Sequence, residues 1–304
     1  MVLYNCIIMQ DVIILDCNEI KCPTVLLYVF EELCGAFKRQ GHSVRICNSI
    51  TDIKGEPIVF MGNLFHYHIT NPCSILYNQC PNAHYYGWYW HNIPDTTLLN
   101  FTHIYENITP SLTLLSDKIN IMKFMNSIPN KCPLLLRANE DPTNVGRYER
   151  RPIRDYCYMG FSYCPYLVPS KNFIGFYYAT CNHDKYLNYE QRKNIYLTSI
   201  FALGFQSDEN ILNGHVSQRI YEGLCYGCVV FSNSKVACDQ TEGIVIYVET
   251  KKDIEEKMRY YLDNPKEIID KQIIGYDFVQ RLGTNDLSYK ILRSSCQVLN
   301  RKLF

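Results

Sequence analysis

The chain has 304 residues, enough for one large domain or two domains of ordinary size. Hydrophobic residues make up 47% and charged residues 20%, which is the composition of a globular protein with a sizeable core. Its 30 basic and 30 acidic residues cancel, and this zero net charge argues against a general nucleic-acid binder, which needs a basic excess to contact phosphates.

Short apolar runs in the first half predict buried strands at residues 6–15, 43–47, 57–61, 74–78 and 101–105. Between the first two strands, Thr24 can cap a helix whose apolar residues recur every four positions until Gly41. This alternation indicates an α/β domain with a mostly parallel sheet, whose ligands bind beyond the carboxyl ends of the strands. We therefore expect a cleft near the polar residues that follow these strands, which are Asn63, His66, His68 and Gln79.

Residues 139–154 are polar and predict a linker between an N-terminal domain, 1–138, and a C-terminal domain, 155–304. The linker contains four arginines, Arg147, Arg150, Arg151 and Arg154. A basic run of this kind is usually a solvated face, and the sharper alternative is a hinge that contacts phosphate.

The second half begins again with a strand at 155–159, and further strands are predicted at 173–178, 228–231 and 243–248. Helices are predicted at 190–199 and 216–225. Thr250, three residues before Asp253, opens another helix as a capping box, and Asn264 with Pro265 stops it. The remainder, to residue 304, is predicted to be helical.

The segment 207–234, SDENILNGHVSQRIYEGLCYGCVVFSNS, carries the chemistry. A loop rich in Asn and Gly leads into a helix whose N–H groups and dipole attract anions. Ser217 can add a hydroxyl, Arg219 can neutralise a phosphate, and Glu222 can accept two hydrogen bonds from a ribose. This combination outlines a nucleotide-sugar site. The alternative, which the spacing alone favours, is an amphipathic helix with Arg219 and Glu222 as a surface pair.

The stretch SQRIYEGLCYGCVVFSN resembles the donor-binding helix and following strand of GT-B glycosyltransferases. It is similar to those of the spore-maturation type and, more loosely, to exostosin-like and fucosyltransferase-like enzymes. RDYCYMG resembles the strand and glycine that open their C-terminal domain, and YLDNP resembles the break between their closing helices. The resemblance covers much of residues 155–295. It implies an α/β fold of two Rossmann-like domains facing across a cleft, with the acceptor on the N-terminal side and the donor on the C-terminal side.

The resemblance also implies roles for five residues. Glu222 holds the donor ribose, while Arg219 and Ser217 face the diphosphate. Gly160 allows phosphate to approach the backbone, and Asn233 lines the same cleft. Many relatives that retain the anomeric configuration carry another glutamate eight residues before the ribose-binding one. Here that position is Gly214, with Glu209 the nearest substitute, so the stereochemical outcome stays open.

An inverting enzyme of this fold needs a base from its N-terminal domain. The candidates are His66, His68, His91 and Asp95, and none of them lies in a distinctive motif. The loop predicted at 84–92, HYYGWYWHN, could be an aromatic platform for an acceptor sugar, although aromatic residues are also ordinary core residues. No motif requires a metal ion or a cofactor, so we expect a metal-independent reaction.

The expected function is transfer of a sugar from a nucleotide-diphosphate donor to a glycan, protein or small-molecule acceptor. Two alternatives stay open: a binding protein that keeps the fold without activity, and a glycosyltransferase acting on DNA bases. The neutral charge disfavours nucleic acid as a partner, although the arginine cluster leaves room for it. The composition and compact length suggest a microbial or large-virus source.

The beginning of the chain and its cysteines predict a cytoplasmic location. Asp11 interrupts the first apolar run and no basic leader precedes it, which is typical of a strand and not of a signal peptide. No stretch reaches the roughly 18 apolar residues of a membrane span. The 15 cysteines have no framework spacing, which favours reduced thiols over disulfides. Cys225 and Cys228 form a CxxC, but it ends a predicted helix and enters a strand, unlike a redox site.

Overall fold

The structure, a computed structural model, describes part of the chain. The described residues are 12–15, 35, 37–39, 41–47, 58–62, 84–89, 102–106, 131–134, 138, 140–160, 165–179, 187–212, 214 and 216–283. They form two sheets whose neighbouring strands are all parallel. This confirms the predicted α/β class, while the placement of two domains across a cleft stays a prediction.

The first sheet contains six strands in the order β2-β1-β3-β4-β5-β6. Their bounds are β1 Val12–Leu15, β2 Val44–Cys47, β3 Ile58–Gly62, β4 His84–Tyr89, β5 Thr102–Glu106 and β6 Lys131–Leu134. Of the strands predicted at 6–15, 43–47, 57–61 and 101–105, the described residues are confirmed as strand except Ser43. The rest of these ranges and the strand predicted at 74–78 lie outside the described residues. The prediction of a loop at 84–92 is wrong for residues 84–89, because tyrosine and tryptophan favour a pleated, half-buried strand.

The second sheet contains five strands in the order β11-β10-β9-β7-β8. Their bounds are β7 Arg154–Gly160, β8 Gly175–Ala179, β9 Ser199–Leu203, β10 Val229–Ser232 and β11 Ile246–Tyr247. The strands predicted at 155–159, 173–178 and 228–231 are confirmed within two residues at each end. Only Ile246 and Tyr247 of the strand predicted at 243–248 pair with β10. The predicted start, Gly243, lies in a turn with a positive φ.

The second half of the chain contains six described α-helices. Their bounds are α1 Tyr189–Leu197, α2 Asp208–Leu212, α3 Gln218–Cys225, α4 Lys235–Gln240, α5 Lys251–Asp263 and α6 Pro265–Leu282. The Thr250 hydroxyl accepts a hydrogen bond of 3.1 Å from the Asp253 backbone N–H, which confirms the predicted start of α5. The predicted break is also confirmed, because α5 ends before Asn264 and α6 begins at Pro265. In the described part of the chain, no helix is both long and apolar enough to cross a lipid bilayer.

Both faces of the second sheet are covered, as a parallel sheet requires. Val230 of β10 packs on one face with Leu224 of α3 and Phe278 of α6. Its neighbours in the strand point to the other face, where Phe231 packs with Ile254 and Met258 of α5. The alternation of a strand therefore divides the core into two layers, and α3 lies directly against one of them.

Residues 140–154 pack against the elements of the second sheet. Glu140 is buried and accepts hydrogen bonds from the hydroxyls of Tyr189 (2.7 Å) and Tyr226 (3.2 Å). The guanidinium of Arg150 donates to the backbone carbonyls of Gly227 and Ser199, while the Arg151 side chain is 76% exposed. The predicted solvated face therefore fits Arg151 but not Arg150. The assignment of 139–154 as a linker stays a prediction.

Candidate functional site

The topology of the second sheet favours a ligand site beyond the carboxyl ends of two neighbouring strands, β7 and β9. The chain runs from β7 to its neighbour β8 on one side, and then crosses back to add β9 on the other side of β7. At such a reversal the loops after the two central strands diverge, and ligands of open parallel sheets bind there. We call the space beyond the carboxyl ends of β7 and β9 the switch-point crevice.

Arg219, in the first turn of α3, lies at the switch-point crevice and joins its two sides. Its Nη1 donates to the carbonyl of Met159 in β7 at 2.7 Å, and its Nη2 donates to the carbonyl of Phe205 after β9 at 3.0 Å. Its Nε donates to Ser217 Oγ at 3.0 Å. An arginine has five N–H groups, so among the described contacts one on each terminal nitrogen is left for a ligand.

Ser217 is the residue before α3, where its backbone is extended and its hydroxyl makes no capping bond to the helix. The hydroxyl accepts from Arg219 instead, so Ser217 orients the guanidinium. The positive end of the α3 dipole and a fixed guanidinium thus meet at one place. That arrangement favours an anionic ligand.

Gly160 ends β7 directly beneath the Arg219 guanidinium. A Cβ added at Gly160 would lie 2.0 Å from Arg219 Nη1 and 2.6 Å from the hydroxyl of Tyr158. The glycine is therefore needed for the approach of an arginine side chain. Its predicted contact with phosphate stays a prediction.

We expect Gly160→Ala to lower the free energy of unfolding by about 1–3 kcal/mol, because the added methyl group must displace the guanidinium from the Met159 carbonyl. Urea denaturation measures the change. Gly275→Ala is the matched control, since its Cβ would come no closer than 3.3 Å to another atom, the Cδ2 of Leu224, and alanine favours a helix. Equal destabilisation by both changes would contradict this account of Gly160.

Asn233, just after β10, holds the loop that follows β9. Its Oδ1 accepts from the Gln206 backbone N–H at 2.8 Å, and its Nδ2 donates to the Gln206 carbonyl at 2.9 Å. The preceding Ser232 hydroxyl donates to the Gly204 carbonyl at 3.1 Å. These three hydrogen bonds fix the loop that presents the Phe205 carbonyl to Arg219. Asn233 therefore shapes the switch-point crevice through the backbone.

Glu222 lies one turn after Arg219 in α3. It is buried and forms an ion pair with Arg192 of α1, and its other oxygen accepts from the Tyr196 hydroxyl at 3.0 Å. Burial, and then the charge of Glu222, raises the pKa of Tyr196 well above its usual value, so the phenol stays a donor. The alternative of a surface pair between Arg219 and Glu222 is wrong, because each has other partners. Binding of ribose by Glu222 stays a prediction.

Gly214 occupies the position at which the resemblance described under the sequence analysis would place a second glutamate. Its φ of 66° lies in the left-handed region, which a residue with a Cβ adopts at a cost. A glutamate at position 214 would therefore adopt this backbone conformation only at a cost.

The catalytic candidates His66, His68 and Asp95, and also His91, lie outside the described residues and stay predictions. Within the described residues, no group of three or more His, Cys, Asp or Glu side chains could hold a metal ion. The sequence analysis did not identify Arg192 as the partner of Glu222, because Arg192 lies between polar neighbours in a charged stretch. Its spacing of four from Tyr196, on the buried side of α1, was the available signal.

Part of the second half of the chain is similar in sequence to a known protein family. Residues 164–284 match a family model described as glycosyl transferase-like. No curated protein matches the chain. A solved structure titled "Crystal Structure of alpha1,3-Fucosyltransferase" is 11% identical, with a TM-score of 0.40 over 86% of this chain and 81% of that one. The matched range contains Ser217, Arg219, Glu222 and Asn233, so these residues of the candidate site lie in the part of the chain, residues 164–284, that is similar to the glycosyl transferase-like family.

Proposed function

We propose that the protein transfers a sugar from a nucleotide-diphosphate donor whose diphosphate binds at the switch-point crevice. The observation that carries the proposal is the position of Arg219. The sequence match supports glycosyl transfer, the topology favours a ligand at this edge, and Arg219 gives that edge a fixed positive charge. Arg219 and Ser217 are the proposed diphosphate ligands, and Gly160 and Asn233 shape the site around them.

The chemistry follows from the charge that develops in the reaction. An acceptor hydroxyl attacks the anomeric carbon, the bond from that carbon to the phosphate oxygen breaks, and the diphosphate leaves with the electron pair. The remaining N–H groups of Arg219 and the positive end of α3 would stabilise this negative charge. A cation supplied by the protein makes a metal ion unnecessary, so we propose a metal-independent transfer.

The proton of the acceptor hydroxyl has to be taken up by a base. His66, His68 and Asp95 remain the proposed candidates, from the sequence alone. The acceptor is proposed to be a glycan, a protein or a small molecule. The donor's sugar and nucleotide are left to experiment.

Thermal unfolding with a panel of UDP-, GDP- and dTDP-sugars tests the proposal. A donor at 100 times its Kd stabilises the native state by about 2.7 kcal/mol, which raises the Tm by several degrees. We expect one nucleotide sugar to raise the Tm of the wild type, with and without EDTA, and to have about half that effect on Arg219→Lys. Arg281→Lys is the control, because Arg281 pairs with Glu242 on the surface.

If no nucleotide sugar shifts the wild type, the donor site is refuted and a binding protein without transferase activity becomes the better interpretation. Salt-sensitive binding of duplex DNA in the same samples would instead favour an acceptor on DNA.

A further inference from the structure

Helix α1 contacts the residue of α3 to which the resemblance gives the donor ribose. We infer that Tyr196 of α1 is a positioning residue for ribose recognition: its hydroxyl holds the Glu222 carboxylate in the orientation that accepts the ribose hydroxyls. The inference rests on the proposed donor site and on the predicted contact of Glu222 with ribose. It deepens that proposal, because it makes α1 part of the site and gives the site a selectivity for ribose over deoxyribose.

The Glu222 carboxylate is held by two donors, one on each of its oxygens. Oε1 pairs with Nη2 of Arg192, and Oε2 accepts from the Tyr196 hydroxyl at 3.0 Å. Contacts on both oxygens fix the rotation of the carboxylate plane as well as its position. An ionised carboxylate has about four lone-pair sites, so each oxygen can accept a further hydrogen bond. A ribose offers two neighbouring hydroxyls to such a pair of acceptors.

The orientation of this carboxylate matters because little of the side chain reaches the surface. The Glu222 side chain is 5% exposed. With so small an opening, a rotation of the carboxylate decides whether its remaining lone pairs face a ligand or the interior. An acceptor that is already oriented also binds more tightly, since the ligand does not have to order it.

Tyr196 is itself fixed in place. The residue is 2% exposed, and its ring stacks on the ring of Tyr226 with centroids 5.8 Å apart and 25° between the planes. Burial, and then the charge of Glu222, raises the pKa of the phenol well above its usual value, so the hydroxyl keeps its proton and acts as a donor. A buried, stacked ring therefore presents its O–H to Glu222 from one direction.

Helix α1, which carries Tyr196, is secured at both ends. At its start, Asn188 Oδ1 accepts from the Gln191 backbone N–H at 2.9 Å, and Gln191 Oε1 accepts from the Asn188 N–H at 3.0 Å. At its end, the Thr198 hydroxyl donates to the Asn194 carbonyl at 2.7 Å. The helix therefore holds Tyr196 at a defined distance from α3.

The same strand positions both parts of the proposed donor site. Helix α1 ends at Leu197, and β9 begins at Ser199. The loop after β9 presents the Phe205 carbonyl to Arg219, the proposed diphosphate ligand. Arg219 and Glu222 are one turn apart on α3. The ribose and diphosphate ligands are thus oriented from β9, one through α1 and the other through the loop.

Tyr196→Phe separates a positioning role from a structural one, because it removes one oxygen atom and keeps the stacked ring. If the hydroxyl positions Glu222, its loss weakens the binding of a nucleotide with ribose and leaves that of a dideoxy nucleotide unchanged. A hydroxyl that only packs α1 against α3 acts on both nucleotides alike. Tyr226→Phe is the matched control, since it removes a buried hydroxyl from the same ring stack that contacts Glu140 and Tyr189.

The experiment is calorimetric titration of UDP, GDP and their 2′,3′-dideoxy forms. The proteins are the wild type, Tyr196→Phe, Tyr226→Phe, Glu222→Gln and the double variant Tyr196→Phe/Glu222→Gln. We expect the wild type and Tyr226→Phe to prefer the ribo form of the better nucleotide at least about tenfold, and Tyr196→Phe to prefer it about threefold. The affinity of Tyr196→Phe for the dideoxy form stays within about twofold of the wild type. The double variant keeps the ribo preference of Glu222→Gln, because Tyr196 acts through Glu222.

The ribo preference of a folded Tyr196→Phe protein decides the inference. An undiminished preference overturns it, and so does an equal loss of affinity for the ribo and dideoxy forms. If circular dichroism shows that Tyr196→Phe does not fold while Tyr226→Phe does, the hydroxyl is structural and the inference is also overturned. A wild type that binds UDP or GDP without a ribo preference overturns the inference alone, and the proposed donor site stands. If the wild type binds neither, the inference fails, and the panel of nucleotide sugars decides the proposed function separately.

Discussion

Replacing Arg219 by alanine is expected to weaken the binding of UDP or GDP at least about a hundredfold. A charge-assisted hydrogen bond contributes about 1.5–3 kcal/mol, and 2.7 kcal/mol corresponds to a factor of about one hundred. Arg219→Lys keeps the charge but loses the fork that bonds to the Met159 and Phe205 carbonyls, so we expect an intermediate loss of about tenfold. Calorimetric titration measures both affinities.

The control for this prediction is Arg281→Ala, which removes an arginine of the same half that pairs with Glu242 on the surface. Its affinity for nucleotide should stay within about twofold of the wild type. Circular dichroism and unfolding of each variant separate loss of the ligand from loss of the fold. If the folded Arg219→Ala protein binds nucleotide as tightly as the wild type, Arg219 is not a ligand of the nucleotide.

Replacing Arg192 by alanine is expected to lower the free energy of unfolding by about 3–5 kcal/mol. The reason is that removing one partner of a buried ion pair leaves the other, Glu222, in the interior without the guanidinium that compensates it. Urea denaturation followed by fluorescence gives the change from the shift in midpoint at constant slope.

Arg151→Ala is the matched control for Arg192, because its ion pair with Glu149 lies on the surface with both side chains more than 70% exposed. That pair should contribute less than about 1 kcal/mol. If the two alanine variants are equally stable, the buried ion pair contributes no more to the free energy of unfolding than the surface pair does.

The strands of this protein could be predicted where apolar residues stand in a short uniform run. The segment 228–231 reads as a buried strand, and β10 forms there with one residue of shift. The aromatic segment at 84–89 was predicted as a loop, because its histidine, glycine and tyrosines break a simple apolar pattern. Pairing on both sides, with β3 and β5, is a tertiary effect that outweighs such a local pattern.

The candidate site could be predicted in its residues but not in its contacts. Arg219 stands out as a charged residue at a predicted helix start, and Gly160 as the glycine that ends a predicted strand. Their meeting could not be predicted, because the partners of Arg219 are mostly backbone carbonyls, which every residue carries. Likewise, nothing in the spacing of α3 indicates that Glu222 faces another helix rather than solvent.

The contacts of Glu140 and Arg150 decide how the chain can be divided. A C-terminal fragment that starts at the predicted boundary, residue 155, would lose Glu140. Its carboxylate accepts hydrogen bonds from the hydroxyls of Tyr189 and Tyr226. The fragment would also lose Arg150, whose guanidinium donates to the Gly227 and Ser199 carbonyls. The two hydroxyls and the two carbonyls would then need water as a hydrogen-bond partner. For expression or crystallisation, a C-terminal fragment therefore has to begin at or before Glu140, so that the segment predicted as the linker stays with it.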